Sequence, residues 1–490
     1  MVKMQQINIK EVIMKFSELK LSSPYLKLPP VFYDLTEPTP LEKPFIISAS
    51  HDAAKLLGVD DLTLDEDLIS VVNGSQKLEG SETFSMCYAG HQFGYFVPRL
   101  GDGRAINLGK VNGQNLQLKG SGQTLYSRQG DGRAVLRSSI REYLMSEAMH
   151  GLGIKTSRAL ALIGSDTDVA RSRWEKGAIV LRLSPTWVRF GTFEYFNSTR
   201  EHDKLELLAD YVIDESFPHL KGVEGAYLKM YTEIINNTAE TIAHWQSVGF
   251  NHGVMNTDNM SIDGRTIDYG PFAFLDDYDF QYVCNHTDTD GRYSFGNQPS
   301  VAQWNLQQLA KALSAIVNYE DALKVLEDFS SIFEAHYLRI MYKKLGLEVE
   351  DAESLEFLGW LLGALASSPI DYTAFFRTLC FYDGNKETLL ALPESKEPLA
   401  DWLEAYDKRL EKETLTTQER HKKMLAANPK YILKNHILQQ AIEKAELGDF
   451  VMIEDLLTVA LDPFNEHSAL DYLCQSTPTE AKNLKLSCSS

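Results

Sequence analysis

The amino-acid sequence predicts an α+β protein in which a small β-rich lobe precedes a large helical lobe. Glycine is dense over residues 84–133, which hold ten of the 31 glycines of this 490-residue chain. Short apolar runs alternate there with turns, as in a twisted antiparallel sheet. From Gln303 onward the apolar residues recur almost throughout at helical spacing. Strand-rich sequence followed by helix-rich sequence is typical of two packed lobes rather than of alternating βα units.

Residues 1–80 are predicted to form a segment that wraps around the first lobe. Proline-rich connections stand at Leu28–Pro30 and Glu37–Pro40, and a short helical pattern covers Ser50–Leu57. This segment carries no candidate chemistry.

The β-rich lobe is assigned to residues 81–183. Strand-like runs at 95–97, 105–108 and 115–119 are followed by a predicted helix over Ala134–Leu152 that Gly153 ends. Further strands are expected at 159–163 and 177–183. Lys119 ends one of these strands, and Glu142 lies on the helix 23 residues later.

The helical part is divided into a second lobe, 184–345, which contains the active-site loop, and a C-terminal extension, 346–490. Its helices are predicted from apolar periodicity. They cover Leu205–Phe217, Gly225–Trp245, Leu323–Leu345, Ser354–Ala366, Tyr372–Phe381, Leu399–Leu415, Gln418–Ala426 and Tyr431–Leu447.

Composition excludes several functions. The net charge of −20 and the absence of a basic run argue against nucleic acid as a partner. No apolar stretch approaches the roughly 18 residues of a membrane span, and the N-terminus lacks the apolar core of a secretory signal. The five cysteines lack CxxC spacing, which favours a reducing compartment. We therefore expect a cytoplasmic protein with no membrane contact.

The region from Arg99 to Arg189 has the opposite charge from the whole chain. It holds fifteen Lys and Arg against seven Asp and Glu, a local charge of +8. The sequence Gly-Asp-Gly-Arg occurs twice there, at 101–104 and 130–133, and offers backbone amides beside an arginine. Arg182 and Arg189 flank a Ser-Pro-Thr turn and could clamp a phosphate. These features favour an anion site, although plain hairpin turns and structural ion pairs would use the same residues.

Lys119 and Glu142 have the order of the strand lysine and helix glutamate that hold nucleotide phosphates in kinase-type folds. Taken alone, the two residues could equally be a solvated strand lysine and a surface glutamate.

The stretch Asn251–Asp277 gathers Asp258, Asn259 and Asp268 between glycines, around a short predicted strand at Arg265–Ile267. Carboxylate and amide oxygens suit Mg²⁺ held against a phosphate. An Asn/Asp/Gly-rich turn without a metal is the alternative.

The same stretch departs from a kinase catalytic loop at one position. Such loops read His-x-Asp and then Asn five residues on; here His252 is followed by Val254 and then Asn259. Asp268-Tyr269-Gly270 stands in the place of Asp-Phe-Gly. Valine cannot accept a proton, so the site is either inactive or uses another base, and Asp258 is the available carboxylate.

The whole chain resembles the selenoprotein O family, protein adenylyltransferases on a protein-kinase-like fold. The motifs that carry the resemblance are Tyr88-Ala-Gly-His-Gln-Phe-Gly94, Leu100-Gly-Asp-Gly-Arg104, Gly130–Glu142, Ser146–His150, His252–Met260, Leu275-Asp-Asp277 and the tail Ser-Cys-Ser-Ser.

The resemblance implies that AMP passes from ATP to a Ser, Thr or Tyr hydroxyl of a protein substrate, with ATP flipped relative to a kinase. It implies Mg²⁺ or Mn²⁺ on Asn259 and Asp268, Asp258 as proton acceptor, and Glu142 as the residue that orients Lys119. The implied ATP-binding residues are Gly101, Gly103, Arg104, Lys119, Asp131, Gly132, Arg182 and Arg189.

The resemblance also implies a reversible disulfide between Cys284 and Cys488 that would tether the tail across the site. Two rival functions remain open from the residues: a conventional protein or small-molecule kinase, and a non-catalytic ATP-binding scaffold.

Overall fold

The strands build one large antiparallel sheet and two small hairpin-like pairs. The computed structural model describes residues 14–59, 66–482, 484 and 486. Its strands are β1 (Tyr33–Leu35), β2 (Phe45–Ala49), β3 (Phe84–Met86), β4 (Gly90–Gln92), β5 (Tyr95–Val97), β6 (Ala105–Val111), β7 (Gln114–Lys119), β8 (Ala134–Val135), β9 (Arg158–Ala170), β10 (Trp174–Ser184), β11 (Phe250–Asn251) and β12 (Ala273–Phe274).

The large sheet has the order β1-β3-β6-β7-β10-β9-β2, and β8 pairs with β10. Register places Lys119 opposite Val180 and Gln117 opposite Arg182. Residues directly opposite each other share a face, so one face of β7 and β10 presents these polar side chains together. The other face presents Leu116 and Leu118, as their alternation predicts, to an apolar core shared with residues in 16–59 and 68–78.

The helices surround the sheet and make up most of the chain after residue 190. They are α1 (His51–Lys55), α2 (Glu66–Val72), α3 (Leu136–Gly151), α4 (Phe190–Ser198), α5 (His202–Ser216), α6 (Ala226–Val248), α7 (Gln298–Ala312), α8 (Tyr319–Leu326), α9 (Phe329–Leu345), α10 (Ser354–Ser367), α11 (Tyr372–Leu379), α12 (Glu387–Leu390), α13 (Glu397–Leu410), α14 (Thr417–Leu425), α15 (Asn435–Glu446) and α16 (Val451–Leu461).

Two apolar cores organise these helices. The larger joins α3 to α4–α7 and reaches α15 and α16. The other is formed chiefly by α9–α11 and α13 around Trp402. Helix α3 packs between the sheet and α16, which fixes Glu142 behind β7 and β10. The mixed α+β class is confirmed, and the architecture is compatible with a kinase-like fold.

The structure corrects several predicted elements. Arg265–Ile267 is no strand; only Thr266 forms isolated bridges, to Thr156 and Met260, because Gly264 and Asp268 turn the chain on either side. The helix predicted from residue 134 begins at Leu136, since β8 pairs with β10 first. The single helix predicted over 323–345 is two helices that break between residues 326 and 329.

Candidate active site

A cavity of about 640 Å³ lies between the sheet, α3 and the stretch Asn251–Asp277, which we call the acidic loop. Twelve residues that the sequence singled out line it: Gly101, Gly103, Arg104, Lys119, Asp131, Gly132, Glu142, Arg182, Arg189, Asp258, Asn259 and Asp268. The two cysteines are different: Cys284 is buried outside this lining, and Cys488 lies outside the described residues.

Lys119 and Glu142 meet at the back of the cavity. Lys119 Nζ lies 2.6 Å from Glu142 Oε2, so the predicted strand–helix pair is present. The alternative of a solvated lysine is wrong, because both side chains are largely buried. Glu142 holds Arg182 with its other oxygen, Oε1, at 2.6 Å.

Asp268 joins this pair to two buried arginines. Its Oδ1 lies 3.1 Å from Lys119 Nζ and 2.6 Å from Arg182 Nη1, while its Oδ2 accepts from Arg189 Nη1. Arg182 and Arg189 are 1% and 2% exposed, so both side chains face the interior. Three cations thus share two carboxylates, Glu142 and Asp268. The cluster has an excess of one positive charge, which favours an anionic ligand.

The ionisation of these groups follows from burial and from their partners. Burial alone would raise the pKa of Asp268, but Arg189, Lys119 and Arg182 outweigh it and hold that pKa well below its ordinary value. Burial lowers the pKa of Lys119, and this effect outweighs the negative charge of Glu142, which raises it. Asp268 is therefore a fixed negative charge in a cationic setting.

The backbone of Asp268 is held in a conformation that a free chain avoids. Its φ is +59°, in the left-handed region. The preceding carbonyl, of Ile267, lies 3.0 Å from His252 Nε2, and the ring of His252 stacks on Trp245 at 5.2 Å. His252 thus positions the turn that presents Asp268.

Asp258 is the least satisfied carboxylate of the cavity. It is 7% exposed; its Oδ2 accepts from Gln92 Nε2 at 3.2 Å, and its Oδ1 has no hydrogen-bond partner among the described residues. Burial raises the pKa of Asp258 to about 7. A buried carboxylate whose pKa lies near neutrality can accept a proton from a hydroxyl. Val254, at the kinase base position, lines the same cavity.

The two glycine turns form the outer wall. A Cβ on Gly101 would lie 2.2 Å from the ring of Tyr126, and one on Gly132 would lie 2.0 Å from the carbonyl of Gly122. Both glycines also have a positive φ. The turns therefore need glycine for two reasons, the lack of space for a Cβ atom and the left-handed backbone conformation. Arg104 and Asp131 are exposed at the rim.

Sequence reasoning missed several residues of the site. Arg171, from the β9–β10 turn, binds Asp131 through two nitrogens at 2.7 and 3.0 Å. Gln117 accepts from Arg182 and lies on the Lys119 face of β7, so period-two alternation could have found it. Gln92, in contrast, reaches Asp258 across 166 residues of sequence, which no local pattern signals.

The residues present fit a hard divalent cation held jointly with a phosphate. Among the described residues no three His, Cys, Asp or Glu side chains cluster as a self-sufficient metal site. Mg²⁺ commonly uses only one or two protein oxygens and completes its shell with phosphate and water. Asn259 Nδ2 donates to the Val254 carbonyl at 3.0 Å, which leaves its amide oxygen as the donor for a cation beside Asp268.

The fold and the cavity are compatible with a transferase whose site is built like that of a kinase: a lysine–glutamate pair and glycine turns face an acidic loop. The chain belongs to the family described as protein adenylyltransferase SelO, whose family model matches residues 15–460. It is accordingly an enzyme of the nucleotidyltransferase class.

Bacterial relatives cover nearly the whole chain. The chain is 44% identical over 486 residues to the protein nucleotidyltransferase YdiU of Myxococcus xanthus, covering 96% of this chain and 99% of the relative. It is 45% identical over 510 residues to that of Photobacterium profundum, covering 97% and 99%. It is 44% identical over 485 residues to that of Pseudomonas aeruginosa, covering 96% and 99%. Within the described ranges, no helix has the length and apolar character needed to cross a membrane.

Proposed function

We propose that this enzyme transfers AMP from ATP to a Ser, Thr or Tyr hydroxyl of a protein and releases pyrophosphate. The observation that carries the proposal is Asp258, a buried carboxylate with an unpartnered oxygen, in a cavity where Val254 occupies the kinase base position. The names of the family and its relatives support the same reaction class.

In this mechanism the acceptor hydroxyl attacks the α-phosphorus of ATP. Asp258 Oδ1 takes the hydroxyl proton, the new oxygen–phosphorus bond forms, and the bond to the bridging oxygen of pyrophosphate breaks. In-line displacement at phosphorus depends mainly on positioning and on charge neutralisation. Lys119, Arg182 and Arg189 supply fixed positive charge, and Glu142 keeps Lys119 and Arg182 in place.

The proposed ATP orientation is flipped relative to a kinase, so that the β- and γ-phosphates lie deepest. The two most buried arginines, Arg182 and Arg189, support this, because they offer cationic groups at the closed end of the cavity. The turns at Gly101, Gly103 and Arg104 and at Asp131 and Gly132 would then hold the rest of the nucleotide.

Asn259 and Asp268 are the proposed ligands of Mg²⁺ or Mn²⁺. The metal would neutralise phosphate charge as pyrophosphate leaves. Both oxygens of Asp268 form ion pairs with Lys119, Arg182 and Arg189. Binding of the metal together with ATP would therefore require those cations to turn toward the phosphates.

The two-lobed arrangement, with boundaries at residues 80, 183 and 345, is also a proposal. It is supported by the position of the cavity between the sheet and the acidic loop. A cytoplasmic location and the absence of a nucleic-acid partner stay predictions.

We further propose that a reversible Cys284–Cys488 disulfide regulates the site. Leu486, two residues before Cys488 in sequence, accepts a hydrogen bond of 3.0 Å from the backbone of His286, two residues after Cys284, and this contact supports the proposal. Mass mapping under non-reducing conditions tests the pairing, and alkylation of both thiols after oxidation would contradict it.

Incubation with α-labelled and γ-labelled ATP tests the reaction class. We expect label on protein only from the α position, with a gain of one AMP moiety in the intact mass. Transfer from the γ position alone would identify a kinase. Loss of transfer in Asp268→Ala, with the fold retained, would count against a non-catalytic scaffold.

A further inference from the structure

A row of polar side chains crosses three neighbouring strands behind the cavity. The register of the sheet pairs Asn107 of β6 with Gln117 of β7, and Gln117 with Arg182 of β10. Residues directly opposite each other share a face, so these three side chains lie in one line. All three are at most 2% exposed. Arg182, at one end of the row, lines the cavity.

The hydrogen bonds along this row run in one direction. Asp102, in the first glycine turn, accepts from Asn107 Nδ2 at 3.2 Å. Asn107 Oδ1 accepts from Gln117 Nε2, also at 3.2 Å, and Gln117 Oε1 accepts from Arg182 Nη2. An arginine only donates, so each amide turns its oxygen toward Arg182 and its nitrogen toward Asp102. The row thus holds the Gln117 oxygen on the guanidinium.

Asp102 is fixed at the other end of the row. Its Oδ2 also accepts from the Met86 backbone N at 3.0 Å, and its own backbone N donates to the Met86 carbonyl at 2.9 Å. Thr124 Oγ1 donates to the Asp102 carbonyl at 2.8 Å. The row is therefore anchored on β3 and within the glycine turn that lines the cavity.

Gln117 differs from the other partners of Arg182 because it carries no charge. Arg182 Nη1 lies 2.6 Å from both Glu142 Oε1 and Asp268 Oδ1, and these carboxylates offset part of its charge. The Gln117 amide orients Nη2 but leaves the positive charge available to a phosphate. In the proposed function Asp268 binds the metal, and Gln117 would keep its contact with Arg182 while that happens.

A buried polar row of this kind is not needed to build the sheet. The opposite face of β7 presents Leu116 and Leu118 to an apolar core. Apolar side chains could fill the same space behind the cavity without the cost of burying amides. Both side-chain polar atoms of Asn107 and of Gln117 have partners. A fully satisfied network that ends on a cation of the cavity favours a role at the site.

We propose that Gln117, Asn107 and Asp102 are positioning residues that hold the Arg182 guanidinium, with its charge intact, against the terminal phosphates of ATP. The inference rests on the proposed function, in which Arg182 binds those phosphates. The row then sets the preference of the site for a nucleoside triphosphate over a monophosphate, because AMP lacks the phosphates that Arg182 would meet.

The test compares the Kd of a non-hydrolysable ATP analogue with the Kd of AMP, by calorimetry on the full-length protein with Mg²⁺. Gln117→Met keeps the length of the side chain and removes its amide. We expect the Kd of the ATP analogue to rise about tenfold and that of AMP to stay within about twofold. Gln246→Met is the matched control, since Gln246 is a buried glutamine outside the cavity lining that donates to the Phe295 carbonyl. It should change neither Kd by more than about twofold.

Two further variants separate positioning from a role in folding. Gln117→Glu can still contact Arg182 but offsets its charge, so the ATP analogue should bind about tenfold more weakly although the contact remains. Asp102→Asn keeps an acceptor oxygen for Asn107 and should bind the analogue within about threefold of wild type. Equal losses of ATP-analogue and AMP affinity in the Gln117 variants would overturn the proposal, because the row would then only maintain the fold.

Arg182→Met distinguishes this proposal from the proposed function. If Arg182→Met leaves the preference for the ATP analogue over AMP unchanged, the proposed ATP orientation and the positioning role both fail. If it lowers that preference and Gln117→Met does not, the positioning role alone fails. Adding Gln117→Met to Arg182→Met should weaken binding no further, since Gln117 acts through Arg182. Transfer of a γ label instead of an α label would overturn the proposed reaction, while the binding data would still support the positioning role.

Discussion

At the scale of single residues, Asp258 and Asp268 are two carboxylates of one cavity with opposite electrostatic settings. Asp268 is surrounded by Lys119, Arg182 and Arg189, which hold its pKa well below the ordinary value. Among the described residues Asp258 has one side-chain donor, Gln92, and burial raises its pKa to about 7. Two carboxylates whose pKa values differ in this way are suited to different roles. Here Asp268 is suited to binding cations, and Asp258 is suited to accepting a proton.

Asp258→Asn should lower kcat for AMP transfer by about 10²–10⁴-fold, the usual contribution of a general base. The amide keeps the shape of the side chain but accepts no proton. The Kd for an ATP analogue should change little. Asp263→Asn is the matched control, because Asp263 lies on the same loop, pairs with Arg265 and does not line the cavity. Full transfer activity of Asp258→Asn would contradict the assignment.

Glu142→Gln should weaken ATP binding and transfer, by about a hundredfold in kcat/KM, because Lys119 and Arg182 lose the carboxylate that orients both. Glu175→Gln removes a comparable buried partner, bound to Arg137 Nε at 2.6 Å outside the cavity lining. We expect that variant to lose stability but to keep its kcat/KM within about threefold. Equal kinetic losses in both variants would mean that Glu142 acts only in folding.

At the scale of elements, the glycine turns were predictable and their packing was not. The sequence shows that Gly101 and Gly132 lie in repeated Gly-Asp-Gly-Arg turns. Only the structure shows that each turn packs against a second loop, 122–127, so closely that a Cβ atom on either glycine would clash with it. The hairpin of β4 and β5 is similar, since its contacts with Asp258 and Thr257 span 166 residues.

Gly132→Ala should weaken binding of an ATP analogue by at least about tenfold, because its methyl group would clash with the Gly122 carbonyl and shift the Gly132 turn, which lines the cavity. Gly113→Ala is the control. Gly113 has a φ of +78°, close to the +67° of Gly132, but nothing lies within 4 Å of its Cβ position. Gly113→Ala should lose about 1 kcal/mol of stability from backbone strain, and Gly132→Ala should lose more because the clash adds to the same strain. Only Gly132→Ala should lose binding in calorimetry. Equal binding losses would mean that strain alone matters.

At the scale of the whole molecule, a buried lysine ties the stability of the C-terminal helices to pH. Lys344 of α9 lies 4.3 Å from the centre of the Phe376 ring, inside the core around Trp402. Burial lowers the pKa of Lys344 to about 7, from 10.5. Between these values the unfolded chain binds a proton that the folded chain releases, so stability rises with pH by up to about 1.4 kcal/mol per unit.

Lys344→Met should remove this contribution and raise the free energy of unfolding most below pH 7, where the full penalty for the buried charge applies. Urea unfolding at pH 7 and pH 9, followed by tryptophan fluorescence, measures the difference. Lys343→Met is the control, since Lys343 is the exposed neighbour on the same helix. A wild-type pH dependence that Lys344→Met leaves unchanged would contradict the prediction.

The α+β class, the family and twelve residues of the cavity were predictable from the sequence, because glycine spacing, helical periodicity and ordered motifs are local or collinear signals. The sequence also predicted the pairing of Lys119 with Glu142. The strand prediction was wrong for Arg265–Ile267, a short segment between two turns, and the single-helix prediction was wrong at the break between α8 and α9.

The way in which the site residues share their charges follows from tertiary packing. Asp268 meets Arg189 across 79 residues and Lys119 across 149, and Gln92 reaches Asp258 across 166. Such contacts depend on how the sheet, α3 and the acidic loop pack. Burial raises the pKa of Asp258, whereas the cations around Asp268 outweigh its burial and hold its pKa low. Burial and long-range pairing are properties of the packed chain, so composition and spacing could name these residues but not assign their electrostatic state.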